Sequence, residues 1–122
     1  MSEDLWEGEL TVPGSPEKLG LVIPARETGP SERHVALCRA LLDDLDGLFE
    51  RCRPVFAADF EVWAGKALPS DWRTDFALVG LGLPSDGDET QPWDVCYFVD
   101  AANHYFTAHF EDGRASYLTV DG

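Results

Sequence analysis

Residues 94–114 read DVCYFVDAANHYFTAHFEDGR, and this stretch decides the fold because it holds two β-strands and two turn signals. Side chains of a strand alternate between the two faces of a sheet, so each strand can be tested for an apolar face. Asp112-Gly113 is a strong signal for a two-residue hairpin turn. We therefore predict an antiparallel meander of three strands, over about 93–99, 104–111 and 114–120.

The hairpin registers follow by counting outward from the turns. A four-residue loop over 100–103 gives one almost wholly apolar face, with the pairs Val99–His104, Tyr97–Phe106, Val95–Ala108 and Trp93–Phe110. The opposite face receives Phe98–Tyr105, Cys96–Thr107 and Asp94–His109. The Asp112-Gly113 turn predicts the further pairs Glu111–Arg114, His109–Ser116, Thr107–Leu118 and Tyr105–Val120. We expect the apolar face to pack on a helix.

The two histidines of this stretch cannot both bind one metal ion from a regular strand. His104 and His109 are five residues apart, so a regular strand points them to opposite faces. We expect His104 at the rim of the core, within reach of Asp100 for a hydrogen bond. For His109 we expect a solvated cross-strand pair with Asp94.

Residues 76–84, FALVGLGLP, are nearly all apolar and predict a central strand buried on both faces. The pair Gly80 and Gly82 forms a GxG, as in phosphate-binding loops. A third glycine is missing, Pro84 follows, and no helix opens there. We therefore expect no cofactor.

The clearest periodic segment predicts a helix over about 30–52, with Pro30 as its first residue. One apolar stripe repeats at intervals of three and four residues: Val35, Cys38, Leu42, Leu45, Phe49 and Cys52. Polar residues fall on the opposite side: Arg39, Asp43, Asp46 and Glu50. Pro54 is expected to end or bend this helix. A short second helix is predicted over 56–65, with Gly65 at its C-terminal end.

The N-terminal third favours two more strands, over 5–12 and 19–25, which we expect to form a hairpin. The whole chain, residues 1–122, then reads as one α+β domain. It has an N-terminal β-hairpin, a long amphipathic helix plus a short one, and a mainly antiparallel four-strand meander packed on the helix.

The composition is strongly acidic, with 23 Asp and Glu against 9 Lys and Arg and a formal net charge of −14. Phosphate binding needs clustered cations, so nucleic acids and anionic membranes are poor partners. A basic protein is the better expectation, because an acidic field speeds its encounter. The alternative is that the charge serves only solubility. The first residues lack the basic and apolar regions of a signal peptide, and no run approaches the about 20 apolar residues of a membrane span. We expect a cytoplasmic protein whose three cysteines stay reduced.

Two sets of residues are candidate sites. The partner-binding set combines the acidic helix side and an acidic loop with one exposed aromatic residue: Asp43, Asp46, Glu50, Asp86, Asp88, Glu89 and Trp72. For Trp72 the alternative is that it caps the core from a loop. The LDDLDG segment at 42–47 fails as a calcium loop because Leu42 occupies the first ligand position.

The second set lies on the polar sheet face and consists of Asp94, Cys96, Tyr105 and His109. It would form a small-ligand or enzyme site if a deep pocket opened there. Cys96 lies diagonal to His109, but no local sequence supports a Cys/His nucleophile. We assign no catalytic residue and no metal ligand.

Three pieces of the second half resemble small, mostly uncharacterised bacterial domains: the helix-loop with Phe60 and Trp63, the Phe76–Pro84 strand, and the Trp93–Gly113 hairpin. The hairpin pattern is an aspartate, a histidine four residues on, then F-x-D-G: Asp100, His104, Phe110, Asp112 and Gly113. Some of these domains resemble the immunity proteins encoded beside polymorphic toxins. The resemblance implies an α+β domain with no established activity.

Our leading hypothesis is therefore a non-enzymatic, acidic domain that binds another protein, for example an immunity-like neutraliser of a basic toxin. One alternative is a small enzyme or ligand-binding domain with its site at Asp94 and His109. The other is an acidic mimic of DNA that blocks a nucleic-acid enzyme.

Overall fold

The computed structural model describes residues 5–11, 18–24, 32–84 and 90–122; in the first two ranges it describes only the side chains of 19–22. It confirms an α+β fold. The elements are β1 (Leu5–Thr11), β2 (Lys18–Pro24), α1 (Glu32–Asp43), α2 (Leu45–Ala64), a 3₁₀ turn (Trp72–Thr74), β3 (Phe76–Gly82), β4 (Trp93–Val99), β5 (His104–Glu111) and β6 (Arg114–Asp121).

The six strands form one sheet in the order of the sequence. Strands β1 and β2 pair antiparallel, with Leu5 opposite Pro24 and Thr11 opposite Lys18. Strand β2 lies parallel to β3, and the remaining neighbours are antiparallel. The N-terminal strands and the meander thus belong to one mixed sheet, which differs in detail from the predicted hairpin and four-strand antiparallel sheet. The parallel pair needs a long crossover connection, and the two helices lie in that connection.

The predicted β4–β5 register is confirmed in all seven pairs, from Val99 opposite His104 to Trp93 opposite Phe110. The loop between them contains Asn103 at a φ of 56°. Asparagine tolerates this left-handed conformation better than most residues. Asp112 and Gly113 also have positive φ, of 54° and 80°, as the predicted hairpin turn requires.

The predicted β5–β6 register is wrong beyond the first pair. Glu111 faces Arg114 as expected, but His109 faces Tyr117 and not Ser116. Thr107 then faces Thr119 and Tyr105 faces Asp121, one residue out from the prediction. The shift is a β-bulge at Ser116, where two residues of one strand oppose one of the other. The bulge puts the apolar pair Leu118 and Val120 on the core face, where both are partly buried.

The predicted single helix over 30–52 is wrong, because α1 ends at Asp43 and α2 begins at Leu45. Asp44 lies between them with a non-helical backbone, and its carboxylate accepts the Gly47 N–H at 2.9 Å. That bond caps the N-terminus of α2, so a new helix begins here although the apolar stripe continues across the boundary. Pro54 lies inside α2 without ending it, so the predicted 56–65 helix is the last part of α2. Gly65 ends it as predicted, with φ of 74° and its N–H donated to Glu61 O.

The apolar stripe also begins one residue earlier than predicted. Val35 is 47% exposed, whereas His34 is buried and its Nε2 lies 2.9 Å from the carbonyl oxygen of Pro84. Because the imidazole has a polar partner, it can occupy a core position that the sequence pattern gives to a valine. Leu37, Cys38 and Leu41 complete the buried side of α1.

The core lies between the helices and one face of the sheet. Phe49 of α2 is its centre, with ring centroids 4.9–5.9 Å from those of four aromatic side chains: Phe56, Trp72, Phe76 and Tyr97. Phe76, Leu78 and Leu81 of β3 join this core, but the residues between them are only partly buried. The prediction that β3 is buried on both faces is therefore wrong. Neither described helix is long and apolar enough to cross a membrane.

Candidate functional site

Both described helices contribute their buried residues to the same core, so the sheet presents its other face outward. We call this surface the open sheet face. Its positions with described side chains, read from the strand registers, are Gly20, Val22, Ala77, Gly80, Gly82, Asp94, Cys96, Phe98, Tyr105, Thr107, His109, Glu111, Arg114, Tyr117, Thr119 and Asp121. All four residues of the predicted ligand set therefore lie on one surface.

Two aromatic pairs stand on this face. The rings of Phe98 and Tyr105 meet at 5.1 Å and tilt by 65°. The ring of His109 stacks flat on Tyr117, with centroids 4.4 Å apart, and its Nε2 lies 3.0 Å from Thr119 Oγ1. Tyr105 is 42% exposed and Tyr117 is 49% exposed, so the face offers large apolar surface to solvent.

Asp94 is a partly buried acidic residue of this face. It stands directly opposite His109, as predicted, but His109 directs its Nε2 to Thr119. Within the described residues, the Asp94 carboxylate accepts no hydrogen bond and makes no ion pair. Partial burial raises its pKa, and the positive potential of His109 opposes that rise. No side chain or backbone group of the described residues therefore donates to this carboxylate.

Cys96 stands next to Asp94 on the same face, opposite Thr107. Burial raises the pKa of its thiol, and the Asp94 and Asp121 carboxylates raise it further, while the Thr107 hydroxyl acts in the opposite direction. A nucleophilic cysteine needs a lowered pKa, so that it is a thiolate at neutral pH. The electrostatics of this face do not activate Cys96.

Two depressions meet at Asp94. The first, which we call the glycine trough, encloses about 340 Å³ and is lined by Gly20, Val22, Gly80, Leu81, Gly82, Asp94 and Cys96. The second, the adjacent hollow, encloses about 270 Å³ and shares Val22, Gly82 and Asp94 with the trough. Tyr117, His109 and Glu111 complete its polar and aromatic wall. Both are open to solvent, so neither is the deep pocket that an enzyme site would favour.

The glycines make the trough possible. A Cβ on Gly82 would lie 2.8 Å from Asp94 Oδ1, and one on Gly80 would lie 3.4 Å from the Cβ of Cys96. A side chain at Gly82 would therefore collide with the Asp94 carboxylate, whereas one at Gly80 would lie at ordinary contact distance from Cys96 and occupy part of the trough. The sequence signal was the GxG at 80–82, which marks close approach to β4 in this chain.

Of the predicted partner-binding set, the structure describes four members and brings two of them, Asp46 and Trp72, into contact. Asp43, Asp46 and Glu50 are exposed, but Glu50 pairs with Arg53 at 2.9 Å. The Trp72 indole N–H and the Arg73 guanidinium both donate to Asp46 and lower its pKa. Asp86, Asp88 and Glu89 lie outside the described residues.

Trp72 is not an exposed anchor, and that part of the prediction is wrong. Its side chain is 5% exposed and stacks on Phe49 at 5.2 Å. Asp46 accepts its only polar hydrogen at 2.8 Å, so burial leaves no unpaired donor. Trp72 caps the core, which was the alternative reading.

Three features were missed or misjudged from the sequence. The exposed ring of Trp63 packs edge-on against His104 at 4.4 Å. The His104 Nδ1 is buried without a hydrogen-bond partner in the described chain, so it does not bond Asp100 as predicted. Tyr117 was not singled out, because its place opposite His109 depends on the bulge.

Within the described residues, no three of the His, Cys, Asp and Glu side chains are grouped to hold a metal ion. The chain matches no protein-family model, and neither a curated protein nor a solved structure shows significant similarity to it.

Proposed function

We propose that this chain is a small acidic domain that binds another protein, and that the open sheet face is its contact surface. The observation that carries the proposal is the exposure of Tyr105 and Tyr117 on a face that no described helix covers. Exposed aromatic side chains are a frequent source of affinity in protein interfaces.

Charge supports a basic partner. The interior of the open sheet face carries Asp94 and Asp121 but no Lys or Arg among its described side chains. Arg114 stands at the end of the face, opposite Glu111. Among the cations whose side chains the structure describes, the others lie on the helices and in loops: Arg33, Arg39, Arg51, Arg53, Lys66 and Arg73. An anionic face in a chain of net charge −14 would steer a basic protein toward it.

The concrete version of this proposal is an immunity-like neutraliser that covers a basic toxin in the bacterial cytoplasm. Three unpaired cysteines agree with a reducing compartment, since Cys38 and Cys52 are buried as free thiols. Neutralisation by a protein contact needs no catalytic group, which agrees with the raised pKa of the Cys96 thiol.

The test is affinity capture from the lysate of the source organism, at low and at high salt, with mass spectrometry of the eluate. The double variant Tyr105→Ala/Tyr117→Ala removes the two exposed rings, and Val62→Ala on α2 is the matched control because that valine is 80% exposed away from the sheet. We expect one basic protein, captured by the wild type and the control, and lost from the double variant and at high salt.

Capture that ignores both the tyrosines and salt would contradict the proposal, as would the absence of any specific partner. Competition with duplex DNA for the captured protein tests the alternative that this chain mimics DNA. A partner released by DNA would favour mimicry over recognition by the aromatic residues.

A further inference from the structure

We infer that the glycine trough binds a cation at the end of an aliphatic chain, namely a lysine or arginine side chain that the partner inserts beside Asp94. This inference rests on the proposed function and specifies its central contact. It starts from the Asp94 carboxylate, which is partly buried and has no donor within the described residues.

The trough has the chemistry of such a side chain. Its floor is the backbone of Gly20, Gly80 and Gly82, and Val22 forms an apolar wall that is 37% exposed. The methylene stem of a lysine or arginine buries well along apolar surface while its charged end reaches a polar group. Asp94 is that group, and it lies at the junction of the two depressions.

The neighbouring residues favour a cation over a neutral donor. Burial raises the pKa of the Cys96 thiol, and the Asp94 and Asp121 carboxylates raise it further, so this end of the trough is anionic. Glu111 and the exposed ring of Tyr117 line the adjacent hollow, where an arginine fork could lie against the aromatic edge. At about 340 Å³ the trough is near the lower limit of ligand sites, roughly 300–1,000 Å³, which suits one side chain better than a larger molecule.

The experiment needs no partner. The ¹⁵N-labelled chain is titrated with N-acetyl-lysine-methylamide and, separately, with N-acetyl-arginine-methylamide. Their neutral counterparts, from norleucine and citrulline, are the controls. We expect saturable shifts of the backbone amide signals of Gly80, Gly82, Asp94 and Cys96, with a dissociation constant in the millimolar range that is typical of one weak contact. The stronger of the two cations identifies the inserted residue.

Two variants test the assignment. Asp94→Asn keeps the shape of the side chain and should weaken cation binding by about tenfold or more, the loss of one charge-assisted hydrogen bond. Gly80→Ala adds a methyl group to the trough floor without changing charge and should weaken it as well. Asp59→Asn removes an exposed carboxylate on α2 and should bind as the wild type does. Circular dichroism establishes that each variant is folded.

Equal binding of the neutral probes, unchanged binding by Asp94→Asn, or no saturable shift at the solubility limit of the cationic probes would overturn the inference. None of these results touches the tyrosine- and salt-dependent capture of a basic protein. Conversely, a failed capture leaves the titration readable, so the two proposals fail separately.

Discussion

At the scale of single residues, Asp44 decides how the helical layer is built. Its side chain accepts the Gly47 N–H at 2.9 Å, one of the donors that a helix N-terminus leaves unpaired. Asp44→Ala should lower the free energy of unfolding by about 1 kcal/mol, a typical cost of losing an N-cap. Asp43→Ala removes the same charge one residue earlier, and we expect a much smaller change in urea denaturation. Equal losses in the two variants would show that charge, and not capping, sets the effect.

Asp94 should make stability depend on pH. Burial raises the pKa of this carboxyl, so the folded state binds the proton more tightly than the unfolded state does. Stability from this group is then greatest below the unfolded pKa of about 4 and falls as pH rises through the folded pKa.

Asp94→Asn should therefore stabilise the domain at neutral pH, and the gain should disappear below about pH 4, where the wild-type carboxyl is protonated in both states. Urea denaturation across this pH range measures the difference. Asp121→Asn controls for removal of an exposed charge from the same face. A gain for Asp94→Asn that stays constant with pH would contradict the burial argument.

At the scale of elements, the strands were predictable because two turn signals bracket alternating residues. The β4–β5 register followed from loop length alone, and its apolar face confirms the counting. The β5–β6 register did not, because a bulge changes parity without a characteristic residue at Ser116. Placing Leu118 and Val120 in the core was the energetic reason for the bulge, and that reason is visible only once the helix above the sheet is known.

The helices were harder, for a related reason. The spacing of apolar residues shows only which side of a helix is buried. From Cys38 to Cys52 that spacing continues unchanged past Asp44, where one helix ends and the next begins. Two sequence features could mark the helix boundary, the capping residue Asp44 and Pro54. The prediction placed the boundary at Pro54. The two candidate sites show the same limit. The residues of the sheet-face set were predicted correctly to share one surface, because alternate residues of a strand face the same side. Trp72 was misjudged because the burial of a loop residue leaves no periodic signal in the sequence.

Pro54 offers a test at this scale. It lies at an exposed position in the interior of α2 and has no N–H to donate to the preceding turn. Pro54→Ala should raise the free energy of unfolding by about 1–3 kcal/mol, since proline is about 3 kcal/mol less favourable than alanine there and partly offsets this by restricting the unfolded chain.

Pro92→Ala, in the exposed loop before β4, is the matched control, because no helical hydrogen bond is restored there. Thermal and urea unfolding of both variants separate the cases. A Pro54→Ala variant that is no more stable than the wild type would mean that the helix has adapted fully to its proline.

At the scale of the whole molecule, one aromatic side chain joins the layers. Phe49 reaches from α2 to Phe76 on β3, Tyr97 on β4 and Trp72 in the loop. Phe49→Ala should cost about 3–5 kcal/mol, enough to unfold much of a marginally stable domain. Val62→Ala, on the exposed side of the same helix, should stay within about 0.5 kcal/mol. Comparable losses would place the centre of the core elsewhere.

The net charge of −14 also acts on the molecule as a whole, because like charges repel most strongly in the compact state. Salt screens that repulsion, with a Debye length that falls from about 30 Å at 0.01 M to about 10 Å at 0.1 M. The free energy of unfolding should therefore rise with sodium chloride over this range.

The triple variant Asp43→Asn/Asp59→Asn/Glu61→Gln neutralises exposed helix carboxylates that have no ion pair among the described residues. It should be more stable than the wild type at low salt and equal to it at high salt. Urea denaturation at several salt concentrations measures both. A stability difference that persists at high salt would trace the effect to local contacts, whereas its disappearance would show that the acidity is maintained at a cost to the fold.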